Sequence, residues 1–399
     1  MKIHSRIYCG GAFAFGEQQA VDTLLAGGYS GVIVWSVHVN PQGNLILNNT
    51  PFVTNGVYQE QETMNLPVRI AQLHQAGVDI IFSVGAGGTH DFTNIGSLVA
   101  NGVPGPGSLL YDNFLALKTA MVAAGGDIDA IDFDNEDNMD TKTMVNFGLM
   151  LGNIGYGSVT LCPYYQSQVW TDTYNQLLTQ KGSGFVSAIH LQCYSGGQGN
   201  SPQPWGAMIA QAVGNTALIP GLATTQAEPG PWWDGGTNSQ GGSVVKTPNV
   251  AMYGKADWSL MLRKDNYVNA NDAMQSCSGA ETFFFYCRGP MDLGPGKVFK
   301  QGDAVFFGGR PQFGSAPQAD SYSLSGGCSD IYNGIGACPA NLQAQYRSWK
   351  GEANPPNGGF IWMYDSILNC LLSDCCGEAG DSAGQVAKAY QQAIVQGLS

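Results

Sequence analysis

Residues 125–137 read Gly125-Gly126-Asp127-Ile128-Asp129-Ala130-Ile131-Asp132-Phe133-Asp134-Asn135-Glu136-Asp137. Apolar and acidic side chains alternate here, and a period of two is the signature of a β-strand. Read as a strand over Ile128–Asp134, the stretch puts Asp132, Asp134 and Glu136 on one face and Ile131 and Phe133 on the other. A solvated acidic loop would have no reason to space Ile and Phe so regularly. A calcium loop of the EF-hand kind needs Gly at its sixth position, where Asp137 stands. The better reading is a central strand whose apolar face meets packed helices and whose acidic face looks into an enclosed site. Three carboxylates so close repel one another when ionised, so the group should retain a proton, as a general acid requires.

Working outward, short apolar runs recur at Arg6–Cys9, Gly31–Trp35, Asp79–Val84, Ser158–Cys162, Ala188–Tyr194, Ala217–Leu222 and Gly359–Tyr364. Each is apolar almost throughout, as buried parallel strands are. Between them, Gln18–Ala26, Leu66–Ala76, Leu110–Ala124, Thr141–Leu151 and Trp170–Gln180 read as amphipathic helices, and Asn341–Lys350 as the helix before the last strand. Strands alternating with helices in this way predict an α/β protein of the (β/α)8 TIM-barrel type. An open doubly wound sheet is the alternative, but no G-x-G-x-x-G turn follows any strand. The rhythm breaks from about 225 to 340, a segment that holds Pro229-Gly-Pro-Trp-Trp-Asp-Gly-Gly236. We expect two parts: a barrel, 1–224 and 341–399, and a large insertion, 225–340, after the seventh strand, on the face where barrel active sites lie.

Composition narrows the partners. The chain has 399 residues, with 17 Lys and Arg against 30 Asp and Glu, a net charge of −13. That balance argues against nucleic acid and against an anionic membrane surface, both of which attract basic patches. No apolar run approaches the roughly 18 residues of a spanning helix. A neutral, polar polymer remains an easy partner. Charged residues are 12% of the chain, about half the usual share. With 55 glycines and 11% aromatics, this composition is common among secreted enzymes that act on carbohydrate, as it is among loop-rich extracellular domains generally. The first residues, Met1–Tyr8, carry no apolar signal-peptide core. Of ten cysteines, Cys277 with Cys287 and Cys328 with Cys338 could close two short loops, whereas Cys162 and Cys193 lie in apolar runs that suit buried free thiols. An extracellular destination fits best. The five histidines are scattered singly and read as structural rather than metal-ligating, so no metal and no cofactor is expected. No H-E-x-x-H, P-loop or G-x-S-x-G motif occurs.

Asp129-Ala-Ile-Asp132-Phe-Asp134-Asn-Glu136 resembles the D-x-x-D-x-D-x-E signature of family 18 glycoside hydrolases, the chitinase family, with Ala130 where Gly is common. In that family the motif lies on the fourth barrel strand, and here it falls on the fourth predicted strand. Phe82-Ser-Val-Gly-Ala-Gly-Gly88 resembles the third-strand S-x-G-G, with Ala86 replacing the second Gly. Gln192-Cys-Tyr194 resembles the sixth-strand Q-x-Y of the plant-type branch, followed by Ser195 where an acid or amide is frequent. Gly358-Gly-Phe-Ile-Trp362 resembles the last strand, and Ile7-Tyr8-Cys-Gly10 the first. These matches span the barrel; the insertion matches no pattern of that family.

The resemblance implies a retaining, substrate-assisted hydrolysis, an exception to the two-carboxylate rule of most glycosidases. Glu136 would protonate the glycosidic oxygen, and the sugar's 2-acetamido carbonyl would attack the anomeric carbon to give an oxazolinium ion. Asp134 would orient the acetamide, and Asp132 would share a proton with Asp134. Tyr194 would donate to the acetamide carbonyl, and Trp362 would floor the sugar site. Tyr8 and Gln192 are further substrate-binding candidates, Gln192 against the acetamide or Asp134. Trp35, Trp205, Trp232 and Trp233 are candidates for outer sugar subsites. Asp129, out of step with the other three, is expected to be structural. The implied function is a chitinase, acting as a monomer on chitin or N-acetylglucosamine oligosaccharides. The alternatives are an endo-β-N-acetylglucosaminidase of N-glycans, which shares the motif, and a catalytically dead chitinase-like lectin, which usually lacks the acid that Glu136 supplies here.

Overall fold

A computed structural model of the chain describes residues 3–63, 65–164, 168–194, 200–212, 215–224, 339–369 and 382–399, and short strands between 250 and 321. Eight parallel strands make its central sheet among the described residues. They are β1 (His4–Cys9), β2 (Gly31–Val39), β3 (Asp79–Val84), β4 (Ala130–Phe133), β5 (Ser158–Leu161), β6 (Val186–Ile189), β7, in two segments (Ala217–Leu218 and Gly221–Ala223), and β8 (Gly358–Trp362). Each pairs in parallel with the next, the first β7 segment with β6 and the second with β8, and β8 with β1. The two β7 segments are joined only by Ile219 and Pro220, and the Ile219 N–H still donates to Ile189. The sheet therefore closes on itself as a barrel, which excludes the open-sheet alternative.

The helices that face it are α1 (Gln18–Gly27), α2 (Leu66–Gln75), α3 (Leu109–Ala123), α4 (Thr141–Ile154), α5 (Gln168–Lys181), α6 (Pro202–Gln211), α7 (Pro339–Lys350) and α8 (Ala383–Leu398). The predicted helices match α1–α5 and α7 within a few residues. Strand alternation sorts the core into two layers. Ile131 and Phe133 join the outer layer with Val32, Val34, Phe82 and Val159, between sheet and helices. Tyr8, Ile33, Ile81, Ala130, Ala188 and Phe360 fill the barrel interior. Cys9, Cys162 and Cys193 are buried free thiols, as the apolar runs around the latter two indicated.

Beyond β2 the chain makes an antiparallel excursion through Leu45–Leu47, Thr50–Thr54 and Val57–Tyr58 before α2. A further helix, Asp91–Leu98, follows β3. The chain from 224 to 358 leaves and rejoins the sheet between adjacent strands, and within it Val250–Met252, Phe283–Cys287, Ala304–Phe307 and Ala319–Ser321 pair as a separate antiparallel sheet. The candidate cysteine loops involving Cys277, Cys328 and Cys338, and the tryptophans Trp232 and Trp233, lie outside the described residues, as does Ser195.

Candidate active site

The predicted carboxylate face exists, and it climbs out of the barrel. Asp132 is fully enclosed, Asp134 is 3% exposed and Glu136 is half-buried at the C-terminal mouth. A step of two residues along a strand is about 6–7 Å, so one alternation carries a carboxylate from the barrel interior to the rim.

Asp132 is held by four donors. Its register partners on the neighbouring strands are Ser83 and Thr160, so both hydroxyls meet it from the side. The Ser83 and Tyr8 hydroxyls donate to Oδ2 at 2.8 Å each, Thr160 to Oδ1 at 2.5 Å, and the His190 Nδ1 lies 2.8 Å from Oδ1. Burial works against its charge, but the imidazole and the hydroxyls outweigh burial and hold the carboxyl below the ordinary aspartate range. The contacts of Asp132 thus run to Ser83, Tyr8, Thr160 and His190 rather than to Asp134, with which it was expected to share a proton.

The surroundings of Asp134 favour its protonated form. Burial, then the charges of Glu136 and Asp132, push it well up, against the hydrogen bonds it accepts. Trp35 Nε1 donates to its Oδ2 at 3.0 Å and Gln192 Nε2 to its Oδ1 at 3.0 Å. The same amide donates to Glu136 Oε1 at 3.2 Å, so Gln192 clamps both carboxyls. Burial raises Glu136 too, with the Gln192 bond opposing it. Beside Asp134 the chain turns at Gly85, with φ of 103°, where a Cβ would stand 2.3 Å from the Asp134 carbonyl oxygen. That close approach explains a Gly at the end of β3.

Tyr194 stacks on Trp362 with ring centroids 5.6 Å apart, and Trp35 meets Trp362 edge-on at 4.9 Å. Both tryptophans are part-exposed, so an aromatic wall stands beside the carboxyls. Tyr8 differs from expectation. It is fully buried with its hydroxyl on Asp132 and 3.1 Å from Cys162 Sγ, so it supports the site from beneath and offers no face to a sugar. Trp205 is likewise buried, in the outer core on α6, and is no subsite. Trp35 belongs to the site itself rather than to its periphery.

The remaining acids of the stretch have structural work. Asp129 accepts the Ile80 N–H at 2.7 Å, tying β4 to β3 as expected of a structural residue. Asp137 accepts the Phe92 and Thr93 N–H groups at the start of the Asp91–Leu98 helix. Sequence reasoning passed over His190, Arg6, Thr160 and Cys162. The signal was available: His190, Gln192 and Tyr194 repeat the same two-residue alternation as Asp132, Asp134 and Glu136. Among the described residues no cluster of His, Cys, Asp or Glu has the arrangement of a metal site.

No protein-family model matches the chain, and no curated protein matches it significantly. Solved structures similar to it include a Group IV chitinase of Ostrinia furnacalis, at 9% identity over 98% of this chain and 100% of that one, with a TM-score of 0.47. A chitinase of Bacteroides thetaiotaomicron matches at 11% identity over 99% and 97% of the two chains, with a TM-score of 0.46. A tamarind chitinase-like lectin matches at 13% identity over 57% and 82%, with a TM-score of 0.31. At these identities and TM-scores the likeness carries no argument, and the case for function rests on the site.

Proposed function

We propose that this protein is a chitinase that hydrolyses β-1,4 linkages between N-acetylglucosamine units with retention, through substrate-assisted catalysis. One observation carries the reading: the carboxyl nearest Glu136 is unsuited to be a nucleophile. Asp134 is buried, engaged through both oxygens and pushed towards its protonated form, and Asp132 is sealed inside the barrel. A retaining glycosidase with a proton donor at the rim and no accessible carboxylate beside it needs its nucleophile from elsewhere. The 2-acetamido oxygen of the sugar supplies it.

In this mechanism Glu136 gives its proton to the glycosidic oxygen as the bond to the anomeric carbon breaks. The acetamide carbonyl closes on that carbon to form an oxazolinium ion. Asp134 accepts the acetamide N–H and so orients the acetamide, while Gln192 keeps Asp134 and Glu136 in register. Tyr194 donates to the acetamide oxygen, and Trp362, with Trp35 beside it, covers the apolar face of the ring. Glu136, now a carboxylate, takes a proton from water as that water opens the ion. The reading takes the 225–340 segment as an insertion after the seventh strand and the protein as a secreted monomer. No described helix is long and apolar enough to cross a membrane.

The test is a substrate panel. Chromogenic di- and tri-N-acetylchitooligosaccharides should be turned over, cello-oligosaccharides should be inert, and an N-glycoprotein should be cut poorly. Glu136→Gln should lose about 10²–10⁴-fold in kcat while oligosaccharide affinity holds. Comparable turnover of cellulose oligomers would sink the mechanism. Preferential release of N-glycans would replace chitin with the glycoprotein substrate.

A further inference from the structure

Beneath Asp132 lies a buried charge chain that the mechanism above does not use. Arg6, on β1, is 5% exposed and His190, just past β6, is fully enclosed. Arg6 Nη1 lies 2.7 Å from His190 Nε2, and His190 Nδ1 lies 2.8 Å from Asp132 Oδ1. At the other end, Arg6 Nη2 faces Asp79 Oδ2 at 3.5 Å, on the part-exposed first residue of β3. The chain runs Asp79, Arg6, His190, Asp132, from the N-terminal end of the strands to the foot of the site.

Donor chemistry decides its protonation. A guanidinium has only N–H donors and no acceptor, so the His190 nitrogen that faces Arg6 must present a bare lone pair. The imidazole proton is then on Nδ1, where it is donated to Asp132, and the ring is neutral. Burial and the charge of Arg6 both oppose a second proton on His190, against the pull of Asp132. The hydroxyls of Ser83, Thr160 and Tyr8 can rotate to accept a proton from Asp132, but an Nδ1–H whose partner nitrogen is pinned by a guanidinium is a donor only.

We propose that Arg6 and His190 are positioning residues of this site: by fixing one imidazole tautomer they keep Asp132 an anion throughout the working pH range and confine the mobile proton to Asp134 and Glu136. The groups facing Asp132 are Arg6 and Tyr8 from β1, Ser83 from β3, Asp134 just past the end of β4, Thr160 and Cys162 from the β5 end, and His190 and Tyr194 from the β6 end. Those facing His190 are Arg6, Asp132 and the rings of Tyr8 and Phe360. Of all these, Arg6 is the one fixed positive charge. Without it, the anion at Asp132 would stand in the barrel with hydrogen bonds but no counter-charge.

The kinetic consequence rests on the hydrolase reading, whereas the tautomer does not, and the experiment separates them. In the full-length protein labelled with 15N-histidine, long-range 1H–15N spectra should show His190 protonated at Nδ1, bare at Nε2 and unchanged from pH 5 to 8. His190→Asn identifies the signal by its disappearance. In Arg6→Met the ring should take a second proton within that range, and Arg6→Lys should restore the neutral form in part. On a chitooligosaccharide, His190→Leu should move the acid limb of kcat up by about one pH unit, a tenfold loss on that side, because Asp132 then accepts a proton sooner. His190→Asn, which keeps an amide donor, should recover most of the shift. A His190 that is doubly protonated or protonated at Nε2 in the native protein overturns the proposal even if the enzyme is active. An acid limb unmoved in a folded His190→Leu overturns it as well, and absence of any hydrolysis refutes the chitinase reading while the spectra still decide this one.

Discussion

Between 129 and 137 one short strand divides its polar residues by how far along it they stand. Asp129 fastens the strand to its neighbour, Asp132 is consumed by internal donors, Asp134 is buried beside a like charge, Glu136 reaches solvent, and Asp137 caps the Asp91–Leu98 helix that precedes the strand. The same chemical group thus takes different jobs through exposure and neighbours. Asp134 has a consequence for stability. Its folded pKa is raised above the unfolded value near 3.9, so the native state binds more protons than the unfolded chain in the window just above that value. Stability contributed by Asp134 is complete below the window and lost as pH rises through the folded pKa. Asp134→Asn does not titrate. The melting temperature of the variant relative to the native protein should therefore climb as pH rises from 4 towards neutrality, while turnover falls through poorer acetamide orientation. A difference in melting temperature that is flat with pH would mean that Asp134 is ionised in the folded protein.

At the scale of elements, the excursion after β2 is secured by one side chain from α3. Asn113 is fully buried, its amide donating to the Gly43 carbonyl at 2.7 Å and its oxygen accepting the Gly56 N–H at 2.7 Å. Neither loop glycine brings a side chain of its own to that contact. Asn113→Ala leaves the buried Gly43 carbonyl and the part-buried Gly56 N–H without this partner, which costs about 1–3 kcal/mol. The urea midpoint should fall accordingly with the slope unchanged; a shift below 0.5 kcal/mol would show that the excursion is anchored by its apolar residues alone. The C-terminal helix α8 starts with a complete capping box between Ser382 and Gln385. That motif was readable in the sequence. The excursion was not, because strands as short as Leu45–Leu47 carry too few residues to display a period.

For the whole molecule, closure depends on the seam where β7 meets β8. Gly221 stands in register with Phe360, and a Cβ at 221 would lie 2.0 Å from the Phe360 ring, which fills the barrel interior. Gly221→Val should destabilise the barrel by at least about 1–3 kcal/mol through overpacking. Thermal denaturation checks this, and a native-like melting temperature would show that the ring can move aside. The break in β7 at Pro220 has its own compensation, since the Pro220 carbonyl accepts from the Phe360 N–H at 3.1 Å and from the Tyr346 hydroxyl at 3.1 Å.

By itself the sequence determined the alternation of strands and helices, the face on which Asp132, Asp134 and Glu136 stand, and the opposite face of Ile131 and Phe133. These are local properties: a period of two or of 3.6 is written in consecutive residues, and burial of the apolar side follows from it. Only the tertiary structure decided which carboxyl is most enclosed by like charge, that Tyr8 is a buried support and Trp205 a core residue, and that Arg6 and His190 stand in a chain of contacts to Asp132. Tyr8 and Asp132 are 124 residues apart, and Arg6 and His190 are 184 apart. Contacts of that range exist because the sheet closes, and closure brings together inner-face side chains from strands that share no local pattern. Protonation follows the same logic, since it depends on neighbours and burial that no single strand contains.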